Sequence, residues 1–304
     1  MNDFLEVVLF SMQVKSSDWN RTMHDVAIIG GGIAGMATAA RLQAGGLSTI
    51  VFEAHGQPGG CAGFYRRAGF SFDVGATTLV DFESGGVGGE LLQTIGMPVI
   101  PGEPLPGYVA WLPDRRITLY RDSRKWRAER VRVLGDTPAH RGFWKLLDRL
   151  ADVFWKASRQ GVRLPLSSTA DAIQAIRSVG LKNLPCVRYL NWTMDDALRA
   201  HRLRDDKALV GLLGMLIEDT VHSTIDEAPL VNAALGITIR GAGLTRARGG
   251  MRGFWQDFMK HYCSLGGHLR VGCPVKRIAG QLGQFQVETE RGVFPVHQFV
   301  SAVP

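Results

Sequence analysis

Three glycines and one carboxylate, Gly30, Gly32, Gly35 and Glu53, have the spacing in this chain that points to chemistry. In Gly30-x-Gly32-x-x-Gly35 each glycine has a separate task. Gly30 makes a tight turn, Gly32 lets backbone approach a pyrophosphate, and Gly35 permits close contact between a helix and a strand. The residues that open the following helix, Gly32, Ile33 and Ala34, would face the phosphates, because unpaired N–H groups and the helix dipole favour negative charge there. Glu53, followed by Ala54, stands where a carboxylate accepts hydrogen bonds from a ribose diol and disfavours a 2′-phosphate. The expected chemistry is capture of the ADP half of a dinucleotide.

Those residues need a strand, a turn, a helix and a second strand to position them, and the pattern supplies all four. Val26-Ala27-Ile28-Ile29 is the unbroken apolar run of a strand covered on both faces. A helical pattern follows from Ile33 to Ala44 and stops at Gly45-Gly46. Ala39, one turn beyond Gly35, keeps this helix close to the sheet. A second apolar strand, Thr49 to Phe52, ends in Glu53, which completes a βαβ unit.

The bulk numbers narrow the class. With 304 residues, 45% hydrophobic and 21% charged, the chain is sized for one to two globular domains and not for a disordered polymer. A net charge of +7, with arginines crowded between Asp114 and Arg163, accompanies no nucleic-acid motif. The basic run is either a solvated face or an attraction to an anionic membrane surface. The four cysteines lack zinc or CxxC spacing, so neither a metal site nor a disulfide framework is expected, and the compartment is reducing. The leader, 1–23, carries Met12 and Met23 as internal candidate starts, and acids interrupt its short apolar stretch, unlike a signal peptide. No segment reaches the roughly 20 apolar residues of a membrane span.

After Glu53 the chain reads Gly59-Gly60-Cys61-Ala62-Gly63-Phe64-Tyr65, then Phe72-Asp73-Val74-Gly75-Ala76. An acid closing the second strand, a Gly-Gly pair and an FDVGA segment resemble the flavoprotein superfamily of amine oxidases and phytoene desaturases. GGCAGFYRRAGFSFDVGATTL is most similar to its carotenoid desaturase and isomerase branch, retinol saturase relatives included. Amine oxidases usually carry Arg at the position of Cys61. The resemblance is strong over 25–80, moderate over 240–304 and weak between. It implies FAD as the cofactor, with the backbone of Gly59 and Gly60 against the ribityl-phosphate side and Val275 offering backbone contacts to the adenine. Relatives of this kind continue well past the position of Pro304, so the expectation is a fragment of a longer protein or a gene remnant.

The remaining readings are coarser. Cys61 is expected to be a small buried residue, and His24 and His55 to lie on the surface. Gly85 to Gly89 reads as a flexible loop before a short helix near Leu91. The region 101–235 alternates strand-like pieces, Tyr108 to Leu112 and Ile117 to Tyr120, with helical stretches at Gly142 to Gln160, Thr193 to Ala200 and Lys207 to Asp219. Its aromatics, Trp111, Trp126, Trp144, Trp155 and Trp192 among them, are expected in helix core rather than around a ligand. Leu212, Leu213, Met215, Leu216 and Ile217 suggest a helix that is apolar all round, buried or facing a lipid-filled tunnel. Arg248-Gly249-Gly250-Met251 leads into a helix, then a strand pair at His268 to Val271 and Val275 to Ile278. A hairpin-like pair and a last strand from His297 follow.

The expected fold is α/β: a Rossmann-like FAD-binding domain of the glutathione reductase/amine oxidase type with an inserted α+β substrate domain. Its parts are the leader 1–23, the FAD-binding βαβ region 24–100, a substrate-binding region 101–235 and a return to the FAD domain over 236–304. The expected activity is FAD-dependent oxidoreduction at C–C bonds of a long apolar polyene. Carotenoid isomerisation, a retinol-saturase-like reduction, amine oxidation and a non-catalytic remnant are the alternatives. Since the flavin carries such chemistry, no acid, base or nucleophile is assigned. The expected location is cytoplasmic, with peripheral contact on the inner membrane face and no nucleic-acid partner.

Overall fold

Alternation along two strands decides how the first part of the chain packs. The computed structural model describes residues 23–162, 167–238 and 243–303; up to residue 22 the expected leader lies outside them. In β1 (His24–Ile29) and β2 (Thr49–Phe52) successive side chains point to opposite faces. Val26, Ile28 and Val51 join one buried cluster, whereas Ala27, Ile50 and Phe52 join another. Between the strands runs α1 (Ile33–Ala44), whose buried residues Gly35, Met36, Ala39 and Ala40 are mostly small and let the helix lie close to the sheet. It ends at Gly45-Gly46, where the Leu47 N–H returns to the Leu42 carbonyl at 3.1 Å and Gly46 takes φ +91°.

A 3-10 turn over Gly60–Ala62 leads to an antiparallel hairpin, β3 (Phe64–Arg67) and β4 (Phe70–Asp73), and then to β5 (Leu79–Val80). The next helix, α2 (Val87–Thr94), starts inside the glycine run expected to be a flexible loop. The reason is packing: a Cβ on Gly88 would stand 2.5 Å from the Phe82 ring, so glycine is what lets the helix settle there. β6 (Gly102–Leu105) follows.

The chain forms two compact units: the part up to Pro104 together with the part from Thr245, and Leu105–Leu244. The second unit opens with an antiparallel pair, β7 (Gly107–Trp111) and β8 (Arg116–Tyr120). Helices α3 (Ser123–Leu134), α4 (Pro138–Arg159), α5 (Thr169–Val179), α6 (Met194–Ala200), α7 (Lys207–Val221) and α8 (Leu230–Thr238) follow, with a 3-10 stretch over Leu181–Asn191. Asp122 and Thr137 cap α3 and α4, accepting from the backbone N–H groups of Lys125 and His140. On α7, Leu209, Leu212, Leu213, Leu216 and Ile217 are fully buried while Met215 is 37% exposed. The helix is therefore one-sided and its apolar face lies in the unit's own core. Phe143 and Trp144 are buried, and Trp126, Phe154, Tyr189 and Trp192 pack against that core, but Trp111 is exposed. Part of the basic run is internally engaged: Arg130 pairs with Asp148 through two 3.0 Å bonds and lies against Trp126 and Trp144.

The chain returns through β9 (Leu244–Ala247), α9 (Gly250–Ser264), β10 (His268–Arg270), β11 (Val275–Gln281), β12 (Gln284–Thr289) and β13 (Gly292–Ser301). The main sheet has the order β10-β2-β1-β13-β12-β11. Strands β10, β2, β1 and β13 are parallel, and β13, β12 and β11 form an antiparallel meander. The expected pairing of the His268 and Val275 strands does not occur, because β10 hydrogen-bonds β2 while β11 pairs with β12 at the other end of the order. The meander's Val287, Phe294 and Val296 share a cluster with Ala27, Ile50 and Phe52, so it covers one face of the parallel strands. Helices α1 and α9 cover the other through Met36, Ala39, Phe254, Trp255 and Phe258. Each such large side chain contributes about 1.5–3 kcal/mol on burial.

One buried polar chain stitches the helical layer to the sheet. The Tyr262 hydroxyl on α9 lies 2.7 Å from Thr49 Oγ1, which in turn donates to Gln43 Oε1 at 2.8 Å, while Gln43 Nε2 donates to the Leu265 carbonyl at 3.1 Å. Burial pushes the Tyr262 phenol well above its usual range, so it stays neutral and donates.

Candidate functional site

The glycine turn after β1 is held from three sides. Gly30 adopts φ +104° and its N–H donates to the Phe52 carbonyl at 2.8 Å, which locks the turn to the end of β2. A Cβ on Gly35 would lie 1.9 Å from the Gly30 carbonyl oxygen, so α1 can begin there only with glycine at that position. The Gly59 N–H donates to the Gly31 carbonyl at 2.8 Å, and Gly32 and Gly59 form an isolated parallel bridge. The Gly59-Gly60 turn, with φ +137° and +53°, thus closes directly on the first glycine turn.

Gly32 differs from its neighbours. A Cβ built there would meet nothing within 4 Å, and no side chain caps the start of α1. Ile33 and Ala34 beside it are exposed. Helix-terminal amides next to unfilled space at a glycine suit an anionic group approaching the backbone, so the residues present fit a dinucleotide pyrophosphate.

Glu53 is 7% exposed. Its Oε2 accepts the Gly31 N–H at 2.6 Å and its Oε1 accepts the His55 N–H at 2.7 Å. The carboxylate therefore braces the glycine turn itself. With about four lone-pair sites on a carboxylate, two remain for a further donor. Ala54 next to it is exposed. Val275 opens β11 and packs half-buried against the cluster that contains Phe52. The segment just before it is anchored to the same strand end, Gly272 N–H to the His55 carbonyl at 2.7 Å and Cys273 N–H to the Glu53 carbonyl at 2.8 Å. Gly30, Gly32, Ile33, Ala34, Gly35, Glu53, Ala54, Gly59, Gly60 and Val275 are thereby gathered at the carboxyl ends of β1 and β2, where open α/β sheets bind ligands.

Several supporting residues escape sequence reasoning. Trp255 is fully buried and its Nε1 donates to the Ala62 carbonyl at 2.7 Å, which fixes the 3-10 turn after Gly59. Asp73, from the FDVGA segment, accepts the Met251 N–H at 3.0 Å and so caps α9. The same segment threads against the turn, with Val74 N–H on the Gly63 carbonyl at 3.0 Å and a Gly75 Cβ position 2.6 Å from the Cys61 oxygen. The Trp255 and Asp73 links join residues nearly two hundred positions apart, and only the motifs at each end carry a local signal.

Two expectations need correction. Cys61 is exposed, because the turn presents its backbone to Gly32 and leaves the following side chain outside. His24 is buried at 2% exposure, with its Nε2 2.7 Å from His268 Nδ1. Burial, with the charges of His24 and Arg270 adding to it, lowers the His268 pKa to about 4. The pair sits where β1 and β10 begin, at the end of the strands away from the glycine turns. Among the described residues no group of three or more His, Cys, Asp or Glu side chains is disposed to hold a metal ion.

Residues 28–94 match the family described as NAD(P)-binding Rossmann-like domain. The chloroplastic prolycopene isomerase of Arabidopsis thaliana is 24% identical over 289 residues, covering 90% of this chain and 46% of its own. The lycopene-forming phytoene desaturase of Pseudescherichia vulneris is 42% identical over 59 residues, 19% of this chain and 12% of its own. The chain spans about half the length of the curated relatives that match most of it. Among solved structures, wild-type putrescine oxidase bound to putrescine superposes with a TM-score of 0.61 at 17% identity, covering 93% of this chain and 58% of its own. Residues 28–94 are accordingly similar to an NAD(P)-binding Rossmann-like domain, the chain shares its fold with putrescine oxidase, and its curated relatives include a prolycopene isomerase and a phytoene desaturase.

Proposed function

We propose that this chain binds FAD and belongs to an oxidoreductase acting on C–C bonds of a long apolar polyene. The observation that carries the cofactor choice is the Gly31 to Gly59 hydrogen bond, which seats a second glycine turn on the first. A nicotinamide enzyme needs no such turn after the second strand; a flavin enzyme uses it along the ribityl-phosphate. In this reading Gly32, with the amides of Ile33, Ala34 and Gly35, receives the pyrophosphate, and Glu53 and Ala54 line the ribose. Gly59 and Gly60 follow the ribityl-phosphate, and the Val275 backbone meets the adenine. The bound flavin would supply hydride acceptance. The chain's own contribution is to hold the cofactor and orient it.

A second reading, isomerisation of a poly-cis polyene, is supported by relatives that match most of the chain, prolycopene isomerases of Arabidopsis thaliana and Daucus carota. Cys61, where amine oxidases usually carry Arg, speaks against amine oxidation. Among the described residues no helix is long and apolar enough to cross a membrane. A cytoplasmic protein in peripheral contact with the membrane that dissolves its substrate fits this reading.

The test is to purify the protein and record its visible spectrum, then to incubate it with phytoene-like and poly-cis polyenes under oxidising and reducing conditions. A flavin band with loss of substrate hydrogen supports desaturation; turnover that needs reduced flavin and leaves the mass unchanged supports isomerisation. Amine oxidation with peroxide release and no change in any polyene refutes both. A chain that never retains flavin counts against an autonomous flavin enzyme.

A further inference from the structure

We infer that the β3–β4 hairpin is an interfacial docking element for an anionic lipid surface. The inference rests on the polyene reading above and names the surface through which the membrane is met. The hairpin register pairs Tyr65 with Phe72 and Arg67 with Phe70, which puts all four side chains on one face, while Phe64, Arg66, Ser71 and Asp73 lie on the other. The first face is open to solvent: Tyr65 is 49%, Phe70 68% and Phe72 42% exposed. Tyr65 and Phe72 stack at 5.2 Å, and Phe70 lies 6.4 Å from Phe72, so the three rings form one continuous apolar strip. Val74, just beyond the hairpin, extends the exposed apolar surface.

Burial on the opposite face shows that the hairpin is anchored. Phe64 is 2% exposed and belongs to the cluster that holds Trp255 and Phe254. Asp73 is committed to the start of α9. No other acid lies between Phe64 and Asp73, whereas Arg66 and Arg67 sit beside the Ala68-Gly69 tip and are exposed. The unanchored part of the hairpin is therefore aromatic and purely cationic, on a chain with a net charge of +7.

That combination selects the occupant. A soluble protein ligand would satisfy the rings, but Arg67 on the aromatic face, with Arg66 exposed across the tip on the other face, matches the anionic headgroup layer above an apolar one. Tyrosine and arginine side chains reach the polar level from an inserted body. The hairpin also leaves the Gly60–Ala62 turn directly, so a substrate leaving the bilayer at its strip would emerge beside the proposed flavin cradle.

The whole chain should co-sediment with vesicles of phosphatidylcholine mixed with phosphatidylglycerol, and less with phosphatidylcholine alone. Replacing Arg66 and Arg67 by Gln should weaken binding to the anionic vesicles by roughly 30-fold and remove most of its salt dependence. Tyr65→Ser, Phe70→Ser and Phe72→Ser together should abolish binding to both vesicle types at the same melting temperature. Wild-type binding retained by this triple variant would overturn the hairpin while leaving a peripheral protein. Failure of the wild-type chain to bind either vesicle would overturn the hairpin and the membrane part of the functional reading together. A wild-type dimer that the triple variant converts to monomer would assign the strip to a second copy and refute the lipid role.

Discussion

Replacing Gly32 and Gly35 separately by alanine should split cofactor binding from folding, although the two positions are three residues apart in one motif. At Gly32 the backbone has φ −71° and ψ 179°, open to any L-residue, and a Cβ meets no atom within 4 Å. Gly32→Ala should leave the melting temperature unchanged, or raise stability by about 0.4–1 kcal/mol through a stiffer unfolded chain. The added methyl occupies the space next to the α1 amides that a pyrophosphate would enter. Losing one or two charge-assisted hydrogen bonds, at about 1.5–3 kcal/mol each, weakens flavin binding at least about tenfold. At Gly35 the new Cβ would be 1.9 Å from the Gly30 carbonyl oxygen, which forces α1 away from the turn. Overpacking of that kind costs about 3 kcal/mol, or roughly 6–12 °C in Tm for a domain of this size. The assays are flavin absorbance per chain, a fluorescence titration and thermal melts by circular dichroism. If Gly32→Ala binds flavin as wild type, or loses flavin only because it melts early, the placement of the pyrophosphate at Gly32 is wrong.

Two further outcomes follow from the supports of the site. Trp255→Phe keeps the buried ring but removes the indole N–H from the Ala62 carbonyl, so it should destabilise by about 1–3 kcal/mol and release flavin more readily; a variant with normal melting and normal flavin content would refute the role of the indole. His268 titrates near pH 4 in the fold and near 6.5 when unfolded, so the unfolded chain binds more protons between these values. Stability should be complete above pH 6.5, fall as pH drops from there towards 4, and level off below, and His268→Asn should flatten that slope in Tm measured against pH.

Much of the first unit is legible locally. The apolar run before Gly30, the helical period to Ala44 and the stop at Gly45-Gly46 each express a preference that neighbours in sequence settle among themselves, and α1 and β2 match their expected bounds. In the second unit β7, β8, α6 and α7 occur where expected, with ends that differ by only a residue or two. The short helix near Leu91 is legible, but its start within the glycine run is not, because glycine disfavours helix by about 1 kcal/mol and only the packing of Phe82 against Gly88 shows why glycine stands there. The exposure of Met215 within an apolar helix was hidden likewise, since composition does not tell which face a neighbour covers.

The sequence by itself determined the parts of this protein that depend on spacing over a few tens of residues: the glycine turn, the helix start behind it, the acid closing β2 and the Gly-Gly pair beyond. Only the tertiary structure decided which of these groups meet. It turned Glu53 inward onto Gly31, seated Gly59 on Gly31, buried His24 against His268, and put β10 beside β2 instead of beside β11. The physical reason is that strand register and buried hydrogen bonds join residues as far apart in sequence as Ile29 and Ser301. Their energies depend on the whole layered core closing around them, not on any preference that one segment carries alone.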